Sequence, residues 1–237
     1  SVSVSAGAEA ITSAVPALYG HQVAISVTIV LLLMMLNLRG LRESASFLLF
    51  PVYTFILVIS LLIVVGLYNI VTGAVPLQAT ALPGAAVPGV SIALILRAFS
   101  SGSSSLTGVE AISNAVPFFK KPRAKNAAAT LTMMALILGF FFVGITFINY
   151  WYGIVPEKEV TVLSQIGKAV FGHGILYYVL QFATALILAV AANTGFSAFP
   201  VLAYNLAKDK FMPHMYQDRG DRLGYSNGII TLALGSI

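Results

Sequence analysis

The sequence contains no cysteine, a single tryptophan and only three histidines. The absence of cysteine excludes disulfide bonds, thiol catalysis and cysteine metal sites within these 237 residues. His21, His173 and His214 are far apart, and the sequence has no HExxH or comparable spacing of metal ligands. We therefore expect no cofactor and no resident metal site.

Charged residues are also scarce. They make up 9% of the sequence, against roughly 25% in a soluble domain, whereas hydrophobic residues make up 58%. The sequence therefore predicts an integral membrane protein embedded in a lipid bilayer. Its apolar runs reach or approach the ~20 residues of a spanning helix and exceed the ~10 residues of a barrel strand, which predicts an all-α membrane bundle. These runs are 22–37, 46–72, 90–117, 127–152 and 174–204.

The basic residues are distributed unevenly among the connections between these runs. Ten of the thirteen lie in the alternate connections 38–45, 118–126 and 205–226. The connections between these hold only Lys158 and Lys168. Because cytoplasmic loops carry the excess of Lys and Arg, this asymmetry predicts a multi-pass protein of the cell membrane with the basic loops in the cytoplasm. It also argues against nucleic acid as the reason for the net charge of +5.

The chain starts without methionine and stops within an apolar run. We therefore expect 1–237 to be a fragment of a membrane transport domain, with no soluble domain. An aromatic anchor at the membrane interface is expected at 150–152. The segment 153–173 has an amphipathic pattern at Leu163, Ile166 and Val170, is too short to span, and is interpreted as a lid on the outer face.

A hydroxyl-rich segment interrupts the apolar run 90–117. The sequence AFSSGSSSLTGVEAISNAVP, Ala98–Pro117, has Gly102 and Gly108 beside six hydroxyl groups that lie between Ser100 and Thr107. In hydrocarbon, a break in a helix survives only where it is buried in protein or lines a polar cavity, and transporters built on discontinuous helices bind substrate there. We therefore predict a broken helix and a binding site from Ser100 to Glu110. The six hydroxyl residues are Ser100, Ser101, Ser103, Ser104, Ser105 and Thr107.

Other interpretations of these polar residues stay open. Serine and threonine also stabilise helix packing in membranes, and Glu110 is either a paired structural carboxylate or a proton-coupling group. Arg97 and Glu9 are candidates for an outer gate or for a structural ion pair. A weaker polar cluster lies on the last long run and consists of Asn193, Thr194 and Ser197.

An enzyme is the less favoured class. Gly224, Ser226 and Gly228 match G-x-S-x-G, but a nucleophile elbow needs a strand before it and a helix after it. Here Ser226 and Asn227 are expected to cap a membrane helix. An intramembrane hydrolase would need a nucleophile and a base, and the sequence offers no such pair. We predict that the protein is not an enzyme.

Several long blocks carry a family resemblance. The blocks LRAFSSGSSSLTGVEAISNAVPFFKKPRAKNAAATL, NLRGLRESAS, AANTGFSAFPVLAYNLAKDKFMPHMY and RGDRLGYSNGI closely resemble the KimA-type potassium–proton symporters of the KUP group, within the amino acid-polyamine-organocation superfamily. The resemblance implies a LeuT-like fold of two inverted five-helix repeats. The chain would run from the end of helix 3 to the start of helix 9, with the interrupted helix as the sixth.

The resemblance also implies roles for particular residues. Thr107 and Ser3 match hydroxyl positions near bound potassium, and Glu110 matches an acidic residue proposed for proton coupling. Hydroxyls at 103–105 suit the oxygen shell that a hard cation requires. The expected function is proton-coupled potassium uptake by alternating access, with an amino acid or polyamine permease on the same fold as the alternative. Val109 and the serines stand in place of the aromatics usual in amino acid permeases, which favours a small cation. We also expect that the full-length protein can form a homodimer. The expected site residues are Ser3, Ser103, Ser104, Ser105 and Thr107 for the cation, and Glu110 for the proton.

Overall fold

The computed structural model describes residues 2–39, 45–77, 91–103, 116, 119–157, 160–217 and 225–236, and the side chains at 45–48, 101 and 103 are not described. The described part is all-helical, as the composition predicts. The helices are α1 (Val2–Ala14), α2 (Gln22–Leu38), α3 (Ala45–Val71), α4 (Ile92–Ser103), α5 (Arg123–Tyr152), α6 (Val162–Phe171), α7 (Ile175–Lys208) and α8 (Ser226–Ser236), with short 3₁₀ turns at Pro16–Leu18 and His214–Tyr216. The chain forms two units, Ser1–Thr72 with Ile154–Ile237, and Gly73–Gly153.

Three described helices are long and apolar enough to cross a membrane, namely Leu49–Val71, α5 and α7. Helix α7 has 34 residues, which is about 51 Å at 1.5 Å per residue against a hydrocarbon core of ~30 Å. Helix α2 is apolar but has 17 residues, slightly fewer than a full span needs. These helices agree with an integral membrane protein.

In the first unit, α7 lies at the centre and contacts α1, α2, α3, α6 and α8. Helix α1 lies close to α7 at Gly7, where an added Cβ would lie 3.5 Å from Cβ of Leu188. Small residues permit such close approach between membrane helices. A core cluster then joins four helices through Val4, Val30, Phe196 and Ile229. The α1, α2, α7 and α8 helices thus form one packed group.

The far end of α7 packs against α8 and the connection before it. A Cβ on Gly228 would lie only 2.8 Å from Cα of Pro200. The two helices can therefore approach this closely because residue 228 has no side chain. Tyr216 is buried in this connection, and its hydroxyl lies 3.2 Å from Oγ1 of Thr231. Gln217 Nε2 donates to the carbonyl of Ala207 at 2.7 Å, which satisfies an acceptor in the last turn of α7.

In the second unit, Ser91 caps α4 by accepting a hydrogen bond from the amide of Leu94 at 3.2 Å. The side chains of α5 are mostly exposed, as expected for a helix that faces lipid. Its end is fixed by Trp151, whose Nε1 donates to the carbonyl of Val75 at 3.2 Å. The prediction of an aromatic anchor at 150–152 is wrong for Tyr152, because its side chain is buried within the protein.

Several predicted boundaries differ from the structure. Helix α5 begins at Arg123 and α7 continues to Lys208, so the connections expected at 118–126 and 205–226 are shorter than predicted. Arg and Lys have high helix propensity, and their long side chains can extend past a helix end towards water. A run of basic residues therefore does not mark where a membrane helix stops.

The predicted break from Ser100 to Glu110 is corrected at its start, because α4 is helical through Ser103. A hydroxyl can donate to the carbonyl four residues earlier without ending a helix, as Thr54 and Thr132 do here. Hydroxyl density alone therefore does not fix the break. Residues 104–115, which include Glu110, lie outside the described residues.

Candidate functional site

A cavity of about 290 Å³ lies beside Ser3 in the first unit. Ser3 projects from α1, and α7 contributes Ala191, Ala192 and Gly195, whose small side chains leave the volume unfilled. Ser236 of α8 completes the wall, with its Oγ donating to the carbonyl of Leu232 at 2.7 Å. Ser3 was expected to bind the cation, and in the described part of the chain it is half-buried and lines this cavity.

A second cavity of about 230 Å³ shares Val4, Val30 and Ser236 with the first. Its wall carries the polar side chains of Ser5, Gln22, Ser26 and Ser236. Hydroxyl and amide oxygens are the ligands that a hard cation accepts. The walls of both cavities are thus largely apolar, with a few hydroxyl and amide side chains among the aliphatic ones.

The described walls hold fewer side-chain oxygens than a cation site would need, since a hard cation is held by about six or more oxygens. Ser103 ends α4 in the second unit, and its side chain is not described. The other residues expected at the site, Ser104, Ser105, Thr107 and Glu110, lie outside the described residues. Their roles stay predictions.

The weaker cluster on α7 has a different arrangement from the one expected of ligands. Asn37 Nδ2 of α2 donates to Oδ1 of Asn193 at 2.7 Å and to the carbonyl of Leu33 at 2.8 Å. Thr194 donates to the carbonyl of Val190 at 3.2 Å, and Ser197 to that of Asn193 at 3.3 Å. The amide oxygen of Asn193 therefore joins α2 to α7, while the hydroxyls of Thr194 and Ser197 donate to backbone carbonyls of α7 itself.

The candidate gate residues lie in different units. Glu9 is exposed on α1 in the first unit, and Arg97 is exposed on α4 in the second. Their pairing stays a prediction. Within the described residues, no group of three His, Asp or Glu side chains lies together as a metal site would require.

One polar network in the first unit has no counterpart in the sequence prediction. Tyr177 donates its hydroxyl to the carbonyl of Ser13 at 2.8 Å and lies 2.8 Å from Oγ of Ser164. Because its one proton is engaged with Ser13, Ser164 must donate to Tyr177. Gln181 Nε2 donates to Ser164 Oγ and lies 3.2 Å from the Tyr177 oxygen. The sequence signal that could have indicated this network is Gln181, a polar amide in the apolar first part of α7.

The long apolar helices define an integral membrane protein, with a cavity between α1, α7 and α8. The chain matches the amino acid permease family over residues 1–237, and it belongs to that family. It is also similar to the protein named Potassium transporter KimA from Bacillus subtilis (strain 168), with 56% identity over 238 residues.

This alignment covers 100% of the chain and 39% of the relative, so the chain spans well under half the length of that protein. The family and the relative are transporters rather than enzymes. The resemblance drawn from the sequence blocks and the all-α transporter fold are confirmed.

Proposed function

We propose that the protein containing this chain takes up potassium in symport with protons across the cytoplasmic membrane by alternating access. The observation that carries the proposal is the 56% identity, over the whole chain, to a protein named as a potassium transporter. The cavity beside Ser3, with hydroxyls in its wall, supports a small cation as the substrate. The basic connections support an orientation with those loops in the cytoplasm.

The direct test is growth of a potassium-uptake-deficient bacterium at limiting potassium. We expect the full-length protein to restore growth, and a Thr107→Val variant to weaken the apparent affinity for potassium at unchanged membrane expression. This change removes a ligand oxygen at nearly constant volume. Unchanged affinity would mean that the hydroxyl of Thr107 serves only in packing.

Proton coupling is assigned to Glu110, which in the sequence lies three positions from Thr107. Glu110→Gln keeps the size of the side chain and removes its titration, so uptake driven by a pH gradient should be lost while potassium binding in detergent is partly kept. The measurement is potassium flux in proteoliposomes over external pH, with the wild type beside the variant. Identical pH profiles would remove Glu110 from the mechanism.

The second candidate, an amino acid or polyamine permease, is favoured by the family match over residues 1–237. Labelled amino acids and polyamines are therefore tested in the same proteoliposomes as potassium. Accumulation of one of them, together with failure to restore growth on limiting potassium, would favour this candidate.

A further inference from the structure

The short helix α6 is joined to two long helices by the buried network around Tyr177. Ser164 of α6 and Gln181 of α7 are 0% and 2% exposed, and Tyr177 connects them to the carbonyl of Ser13 on α1. If α6 moved away, these groups would lose their partners in a place that water does not reach. Buried polar groups are costly to leave unpaired.

Both ends of α6 are also fixed. At its start, the amide of Thr161 donates to Oγ of Ser13 at 3.2 Å, and the hydroxyl of Thr161 accepts from the amide of Ser164 at 3.2 Å. At its end, only Gly172, His173 and Gly174 separate α6 from α7. Gly172 has a φ of 67°, which suits glycine and makes the turn tight.

The inner face of α6 is closely packed. Ile166 is 0% exposed and Val170 is 8% exposed. A Cβ built on Gly167 would overlap Cδ2 of Leu180, so Leu180 of α7 fills the place where a side chain at 167 would be. The apolar contacts and the hydrogen bonds therefore hold the same face of α6 against α7.

We propose that α6 is a fixed clamp between α1 and α7 that moves with them as one body, and not a lid that opens over the site. This reverses the interpretation of 153–173 drawn from its amphipathic pattern. The moving parts of the transport cycle are then to be sought outside α1, α6 and α7. The clamp itself follows from the contacts of α6, and only its transport assay rests on the proposed function.

The first test cross-links the clamp on a cysteine-free background of the full-length protein. The variant pairs are Gly167→Cys with Leu180→Cys, which joins α6 to α7, and Ser13→Cys with Thr161→Cys, which joins α6 to α1. Thiol loss reports cross-linking, and potassium flux in proteoliposomes is measured before oxidation, after oxidation and after reduction. Each single-cysteine variant, oxidised in the same way, is the control.

A clamp predicts that cross-linked protein keeps the flux of the reduced protein for both pairs. Loss of flux on oxidation, restored by reductant in the pairs but not in the single variants, would overturn the proposal. A wild type without potassium flux would instead refute the proposed function. The two failures are thus distinguishable.

The second test avoids the buried positions, where a cysteine can disturb folding. Spin labels are placed at Lys168 of α6 and Phe182 of α7, both exposed, and their distance is measured without substrate, with saturating potassium and at acidic external pH. One unchanged distance population is the expected result. A second or shifted population on adding potassium or protons would overturn the clamp.

Discussion

Replacing Tyr177 by phenylalanine tests whether the buried network stabilises the fold. The change keeps the ring and removes one hydroxyl, which donates to Ser13 and accepts from Ser164. All the contacts of the hydroxyl are internal, since Tyr177 is 4% exposed. The loss therefore falls on groups that water cannot reach.

The magnitude follows from what is left unpaired. A buried group without its partner costs about 1–3 kcal/mol. Tyr177→Phe leaves the carbonyl of Ser13 without its donor and the hydroxyl proton of Ser164 without its acceptor, although Ser164 Oγ still accepts from Gln181. Part of this is recoverable, because Oε1 of Gln181 has no partner among the described residues and a rotated amide can accept from Ser164. We expect a net loss of about 2 kcal/mol, a factor of about 30 in the unfolding equilibrium.

The assay is equilibrium unfolding in mixed micelles, followed by circular dichroism. Tyr178→Phe is the matched control, because Tyr178 is the next residue, is 51% exposed, and has no part in the network. Surface changes of this kind stay within about 0.5 kcal/mol. Equal effects of the two variants would refute the assignment of the hydroxyl as the centre of the network. In combination with Ser164→Ala, the losses should be less than additive, since the two residues share one interaction.

Two further substitutions test other helix contacts. Gly228→Ala should destabilise the protein by about 1–3 kcal/mol, because its Cβ would meet Pro200 at 2.8 Å. The control is Gly139→Ala, which should have little effect because the space around its Cβ is open among the described residues. Equal shifts in melting temperature for the two variants would contradict the contact between Gly228 and Pro200. Asn37→Ala and Asn193→Ala should lower stability to a similar degree with a measurable coupling in the double variant, whereas a loss of cation affinity for Asn193→Ala alone would make it a ligand.

The sequence predicted the helical bundle because hydropathy and length determine a membrane span almost independently of what surrounds it. An amphipathic pattern at Leu163, Ile166 and Val170 was also recognised within 153–173, and the structure has a helix there in which Ile166 and Val170 are buried. What the pattern does not contain is the partner of that face. The sequence interpretation therefore recognised an amphipathic segment and interpreted it as a lid, whereas the contacts of α6 lead to the clamp proposed above.

The candidate site was less predictable for a related reason. Ser3 was expected near a cation, and the structure places it on a cavity. Asn193 was expected in a polar cluster that could bind, but its oxygen accepts from Asn37, 156 residues earlier in the chain. A single sequence shows which side chains are polar, whereas their roles depend on pairings between distant helices.

The three parts of α7 explain why volume is left beside Ser3. Near its start, Tyr177 and Gln181 are held by the network to α1 and α6, and near its end Pro200 is held against Gly228. Between them, α7 contributes Ala191, Ala192 and Gly195 to the wall beside Phe196, and these three small residues have no rotamers that could fill the cavity. A helix fixed at both ends cannot shift sideways to close such a space at low cost, since packed interiors repack in discrete steps. The cavity beside Ser3 is therefore maintained by contacts that lie along α7 on both sides of it.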